Sequence, residues 1–394
     1  MKKKIQILLT IFIVITAQYS FGWDSSAHMV IAKIAYDNLT NKTISSINPI
    51  LNTQIKYPGQ LKCKAVSQEF QICAVAPWPD LIRYKKTWME IDAREFYRLS
   101  HYWGIPMNIP TNKSKEEKKR NLLNDKANIS TVINSFIKTL ATKSTSTGSK
   151  VFALRYLIHV IGDQTMPLHV SDIRYKNSKN IYISSKGSNN ILFDSPSDII
   201  TYSHSKQNLK NINKLHLYWD TGGGLFMHND FGRYNVYLNR RAEEQITIQA
   251  AKIQNRLNKL RNVVYSVCNP IVWNIDSYII AEKYVFSNLD IDKITLNKDG
   301  KLVISKPNAL YKSMVQNISR VQIFKAGIRL AGILNAIYDP ENAPENYVEY
   351  INSVKSDNKI PTLQQLHPVL ITTYKNSELK DYDLFGNILE DIKK

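Results

Sequence analysis

Residues 151–162 constrain the fold more than any other stretch of the chain. They read as a helix that is apolar over most of its surface. Such a helix has to be buried among other elements. It nevertheless carries His159 and, one turn later, Asp163. A spacing of four places both side chains on one helix face. Their neighbours Leu157, Ile158, Val160 and Ile161 are all apolar. A buried imidazole and a buried carboxylate need partners. A metal ion can supply them, and so can a His–Asp hydrogen bond inside a core. Pro167 ends the helix, so His169 returns from the following turn.

The remaining signals are also mostly helical. Ser26 can cap a helix over 27–39, with Val30, Ile31, Ile34 and Ala35 on its apolar face. Residues 115–140 begin highly charged and become periodic, and further helices are expected over 237–264, 270–286 and 310–338. Strand signals are few. Residues 181–184 and 191–193 flank a polar turn, and 294–296 and 302–304 flank Asp299-Gly300, a good hairpin turn. The stretch 172–214 is rich in Ser, Asn and Lys and reads as a long basic loop. These elements predict an all-α domain with small β-hairpin insertions.

The chain opens with three lysines, an apolar run from Ile5 to Thr16, and Ser20-Phe21-Gly22. This is the pattern of a signal peptide cut after Gly22. The run falls short of the roughly 20 residues that span a bilayer, which argues against a membrane anchor. A secreted or periplasmic mature protein beginning at Trp23 is therefore expected, and a monomer. The expected division is a signal peptide over 1–22, one domain over 23–339 and an acidic C-terminal extension over 340–394.

Formal net charge is +19. Without Lys2, Lys3 and Lys4 it is +16, and residues 340–394 hold six Lys against nine acidic groups, so residues 23–339 carry +19. A field of that sign draws in polyanions such as nucleic acid or anionic lipid. A generally basic, Lys-rich proteome accounts for the same charge. The three cysteines allow a disulfide between Cys63 and Cys73, or between either of them and Cys268.

Only eight histidines are present, and five fall into local patterns that suit metal binding. His216 and Asp220 repeat the four-residue spacing of His159 and Asp163, again among large apolar neighbours. Asp80 lies in Trp78-Pro79-Asp80-Leu81-Ile82-Arg83, and His101 precedes Tyr102. Either could serve as a cap or a satisfied polar residue. Trp23 and His28 follow the cut directly. A free α-amino group with the carbonyl of the same residue can chelate a metal, although Trp23 could equally just begin a helix. Imidazole and carboxylate donors without thiolate suit zinc, with manganese or cobalt as alternatives. His204, His228 and His367 fall outside every pattern.

Together these motifs resemble the zinc-dependent single-strand nucleases and 3'-nucleotidases of the nuclease S-one/P-one type. The resemblance rests on Trp23-x4-His28, the segment Trp78–Arg83, His101-Tyr102, His159-x3-Asp163-x5-His169 and Leu215-His216-x2-Trp219-Asp220. The closing stretch 326–335 also looks like that family's last helix, and the whole likeness runs from Trp23 to Asp339. It implies a helical domain of the phospholipase C and nuclease P-one kind, holding three zinc ions. Asp80, His101, His159 and Asp163 would hold one. The amino and carbonyl groups of Trp23, with His28 and a bridging Asp163, would hold a second. His169, His216 and Asp220 would hold the third.

The resemblance further implies hydrolysis of phosphoesters by a metal-activated water. Asp80 would orient that water and Arg83 would stabilise charge on the phosphoryl oxygens, a task its planar fork suits. Tyr102 would stack on a base, or else pack in the core. Asn189, in Gly187-Ser188-Asn189, stands where the family has Gly-Gly-Asn and would touch substrate. Gly104 stands where the family often has an acid, which weakens base recognition rather than hydrolysis. The expected substrates are single-stranded DNA and RNA and 3'-nucleotides. A lipid-cleaving phospholipase C shares the scaffold but places its first His further from the terminal Trp and uses a Glu ligand. A basic secreted binding protein that has lost catalysis would need no complete ligand set.

Overall fold

The computed structural model describes residues 23–53, 63–82, 101, 104–108, 129–176, 182–202, 209–226, 237–289 and 295–360. Arg83, Tyr102, His204, His228 and His367 lie outside the described residues, as do the expected signal peptide and residues 361–394.

Helices dominate. In chain order they include α1 (Ser25–Tyr36), α2 (Asn41–Asn52), α3 (Trp78–Ile82), α4 (Ile129–Ala141), α5 (Thr147–Thr165), α6 (Leu215–Asp220), α7 (Arg240–Leu257), α8 (Pro270–Ile280), α9 (Ala309–Tyr338) and α10 (Glu345–Ser356). The apolar stretch at 151–162 is the heart of α5. Every residue from Ala153 to Thr165 is buried there. Helices α2, α4, α8 and α9 pack around it. Helix α1 lies mainly on α9 and α7. Gly327 permits that approach, since a Cβ on it would sit 2.5 Å from Ile34 Cγ2 and 3.1 Å from the Ile31 carbonyl.

The cap of α1 differs from the one the sequence suggests. Asp24, not Ser26, fills the position, and its carboxylate accepts from the Ala27 amide at 3.0 Å. Ser26 lies one residue inside the helix, buried. The shift follows from chemistry: Asp and Ser cap about equally well, so sequence alone does not rank two such neighbours.

The largest departure is within 172–214, where the described residues hold strands beyond the two that the sequence marks. Strand β1 (Ile105–Asn108) runs parallel to β2 (Ser171–Lys176), with Pro106 opposite Asp172. Strand β3 (Tyr182–Ser184) lies antiparallel to β2. Strand β4 (Ile191–Phe193) pairs in parallel with β6 (Leu302–Ile304), while β3 pairs with β2. Strand β5 (Thr295–Leu296) and β6 form the hairpin expected around Gly300, whose φ is +69°. Strand β2 and the pairings of β3 and β4 carry no local signal, because the strands are short and β1 and β6 are remote in sequence.

Residues 340–360 pack against the helical body. On α10, Tyr347 is fully buried against Gly332 of α9, where a Cβ would come within 2.5 Å of the ring. Tyr350 donates from its hydroxyl to Asn134 Oδ1 on α4 at 2.8 Å. The expected disulfide is absent: Cys63, Cys73 and Cys268 are all free thiols. Burial pushes the Cys63 thiol up to about 12 and the other two up as well.

Candidate metal centre

The site forms where the start of α1, the end of α5, α3, His101 and α6 converge. Three groups of potential ligands result: His28 with His159 and Asp163; Asp80 with His101 and His159; and His169 with His216 and Asp220. All eight side chains are buried. The two four-residue pairs thus do what their spacing promises. Each helix turn brings an imidazole onto its carboxylate, His159 Nε2 to Asp163 Oδ2 and His216 Nε2 to Asp220 Oδ1, both at 3.3 Å.

Asp163 lies at the centre. Its Oδ1 faces His28 Nε2 at 3.3 Å and His169 Nδ1 at 3.7 Å. Its Oδ2 faces His159 Nε2 at 3.3 Å and His101 Nε2 at 3.9 Å. Asp80 approaches His159 Nε2 at 3.7 Å. The rings of His28 and His159 stack with centroids 3.9 Å apart.

Backbone carbonyls orient three of these rings. His159 donates from Nδ1 to Ala76 O at 2.9 Å, and His169 donates from Nδ1 to His101 O at 2.7 Å. His216 donates from Nδ1 to Gly187 O. Where the ring is neutral, this leaves Nε2 of His159 and of His216 as a bare lone pair aimed at a carboxylate. A lone pair facing a carboxylate oxygen is repulsive unless a cation lies between them. Neither oxygen of Asp163, neither nitrogen of His28, nor Nε2 of His159 has a hydrogen-bond partner. These orphaned buried atoms argue against the simpler arrangement of a hydrogen-bonded His–Asp pair. The spacing suits an ion. Zinc binds nitrogen at about 2.0–2.1 Å, so tetrahedral donors lie about 3.3 Å apart.

Burial and neighbouring charges act on these groups in opposite directions. Burial pulls the His28 ring below the usual histidine range, helped by adjacent His159. Burial acts the same way on His159, but Asp163 and Asp80 outweigh it and raise that ring. Burial alone would raise Asp163, yet His159 and His169 hold it well below the ordinary carboxylate value.

Trp23 is fully buried beside these groups. Its indole donates to Thr165 Oγ1 at 3.2 Å, two residues beyond Asp163. The next amide, of Asp24, donates to Asp220 O at 3.0 Å. The residue is therefore tied to two of the ligand-bearing helices. Asn189 sits in the turn touching His216, where its side-chain amide donates to Lys186 O at 2.8 Å.

Residues 23–339 match the S1/P1 Nuclease family. The chain belongs to that family. No curated protein matches it. Membership makes it a metal-dependent hydrolase acting on nucleic acid, and the three buried groups are its candidate metal-binding sites. No described helix is long and apolar enough to cross a membrane.

Several residues that shape this S1/P1 nuclease site carried no signal in the sequence. Gly162 is one: a Cβ there would lie 2.8 Å from His28 Nδ1 and 2.9 Å from Cε1. Only its place between His159 and Asp163 hints at a packing role. Ala76 and Gly187 act through carbonyls, which any residue possesses.

Proposed function

We propose that this S1/P1 nuclease is an exported trinuclear zinc enzyme that cleaves single-stranded DNA and RNA and removes phosphate from 3'-nucleotides. The observation that carries this reading is the division of Asp163. One oxygen faces His28, and the other faces His159 and His101. A carboxylate so placed suits two ions held side by side. His169, His216 and Asp220 would hold a third.

When bound, such ions supply Lewis acidity at phosphoryl oxygens and a nucleophile at neutral pH. Asp80 would hold and orient the attacking water. Arg83 would bind the phosphoryl oxygens, and Tyr102 and Asn189 would contact the nucleotide. The amino and carbonyl groups of Trp23 would complete the His28 group once a signal peptide is removed after Gly22. The +19 charge of residues 23–339 would draw in the polyanion.

The test is release of acid-soluble nucleotides from single-stranded nucleic acid, beside choline release from phosphatidylcholine, each with and without chelator. Chelator-sensitive nucleotide release is expected. Choline release without nucleotide release would move the enzyme to the lipid substrates. Neither product, from protein free of zinc, would leave a binding protein.

A further inference from the structure

The turn over 185–189 is held in an unusual way. Lys186, Gly187 and Ser188 are consecutive residues with φ of +53°, +58° and +68°. Two of them are not glycine, and each such residue costs about 1–2 kcal/mol in this left-handed region. Conformations of this kind persist only where surrounding contacts over-determine them. Gly187 is also confined: a Cβ on it would lie 2.7 Å from the Leu168 carbonyl and 3.6 Å from His216 Nδ1.

The contacts that hold the turn converge on Asp172. Its Oδ1 accepts from Ser185 Oγ at 2.9 Å and from the Gly187 amide at 3.1 Å. Ser185 Oγ in turn accepts from the amides of Ile173 at 3.1 Å and Ser188 at 3.0 Å. The carbonyl of Gly187 then receives the Nδ1 proton of His216. Asp172 itself lies on β2, three residues after His169, and pairs with β1, the strand that follows His101. It is buried and so is Ser185. One carboxylate oxygen thus fixes the carbonyl that fixes the imidazole.

We propose that Asp172 is a positioning residue for the His169–His216–Asp220 group, acting through the 185–188 turn. It sets the Gly187 carbonyl so that His216 keeps its proton on Nδ1 and presents a bare Nε2. The role needs an oxygen acceptor and not a charge. An asparagine placing its amide oxygen at Oδ1 would still accept from both Ser185 and Gly187. The metal-binding part of this proposal rests on the trinuclear reading above. The tautomer of His216 does not.

The test compares Asp172→Ala with Asp172→Asn by two measurements on the full mature chain. The first is ring nitrogen NMR on metal-free protein. The wild type is expected to show His216 fully protonated at Nδ1, whichever state Nε2 takes, with Asp172→Asn matching it and Asp172→Ala showing Nδ1 only partly protonated. The second is zinc titration against a chromophoric chelator. Asp172→Ala is expected to weaken one ion by about 10–100-fold and leave the others unchanged, with Asp172→Asn restoring it. Ser185→Ala, which removes one of the two donors to Asp172, should weaken the same ion less and serves if Asp172→Ala does not fold. Full protonation of His216 Nδ1 in Asp172→Ala overturns the proposal, as does an Asp172→Asn protein that behaves like the alanine variant. A wild type with the expected Nδ1 protonation but no third zinc would refute the trinuclear reading and leave the positioning role standing.

Discussion

Gly162→Ala sets two effects against each other at the metal centre. In the middle of a helix, alanine is favoured over glycine by about 1 kcal/mol. On propensity alone the variant should be more stable. The new methyl, however, would sit 2.8 Å from His28 Nδ1, 2.9 Å from His28 Cε1 and 3.0 Å from Ile31 Cδ1. Reaching an ordinary contact of about 3.5 Å requires the ring to retreat by about 0.7 Å. His28 is already stacked on His159 with centroids 3.9 Å apart, and both of its neighbours on α1, Ala27 and Met29, are buried. Overpacking of this kind costs about 1–3 kcal/mol, which meets or exceeds the helix gain. Stability should therefore fall by at most about 2 kcal/mol. Metal binding is less forgiving, because a binding constellation tolerates only about 0.5 Å of displacement. We expect affinity for one ion to drop by at least about tenfold in zinc titrations of the metal-free protein, with the remaining ions little affected. Thermal unfolding of the metal-free form should show only the modest loss. A Gly162→Ala protein that binds every ion as the wild type does would refute the reasoning.

Four further outcomes follow from other parts of the molecule. Asp163→Ala should lose two equivalents of metal by elemental analysis and His216→Ala one; equal losses would contradict the shared role of Asp163. Ser188→Gly removes a non-glycine residue at φ +68° and a buried hydroxyl without a hydrogen-bond partner, and should raise stability by about 1 kcal/mol in urea unfolding. Denatured, unreduced protein should titrate as three thiols, since Cys63, Cys73 and Cys268 are unpaired. Lys325 concerns pH. Burial lowers its ammonium from 10.5 to about 8, against the pull of Asp276. Between those values the unfolded chain binds more protons, so this group makes stability rise with pH across that window. Lys325→Met leaves the Arg329–Asp276 contact at 2.9 Å in place. Its stability advantage over the wild type should shrink from pH 7.5 to pH 10, and an advantage independent of pH would refute the assignment.

Much of the site was legible because its chemistry is written in side chains at helical spacing. His159 with Asp163, and His216 with Asp220, needed only the period of a helix and an apolar setting. The Gly300 hairpin was equally local. What escaped was whatever depends on remote partners or on backbone. Strand β4 finds β6 more than a hundred residues away, and β2 finds β1 across the whole of α4 and α5. Asp172 looked like the start of a basic loop because its partners are an amide and a serine hydroxyl. Gly162 was one small residue in an apolar run, and its meaning lies in the ring of His28 on another helix. Residues 340–360 read as acidic and Pro-marked, yet Tyr347 finds its place only because Gly332 leaves room on α9.

The ligand groups also span great lengths of chain. His28 meets Asp163 across 135 residues, and His101 meets it across 62. An ion shared by such residues is a cross-link that closes long loops, as a disulfide does. A disulfide closing a loop of about 100 residues removes about 4.7 kcal/mol of unfolded-chain entropy. This chain, with three unpaired cysteines, has no such bond. If its staples are ions, a chelator should act on it as a reductant acts on a disulfide-rich secreted protein: it should lower the unfolding temperature and speed proteolysis on warming, while the fold persists at ordinary temperature. Reductant alone should leave it untouched.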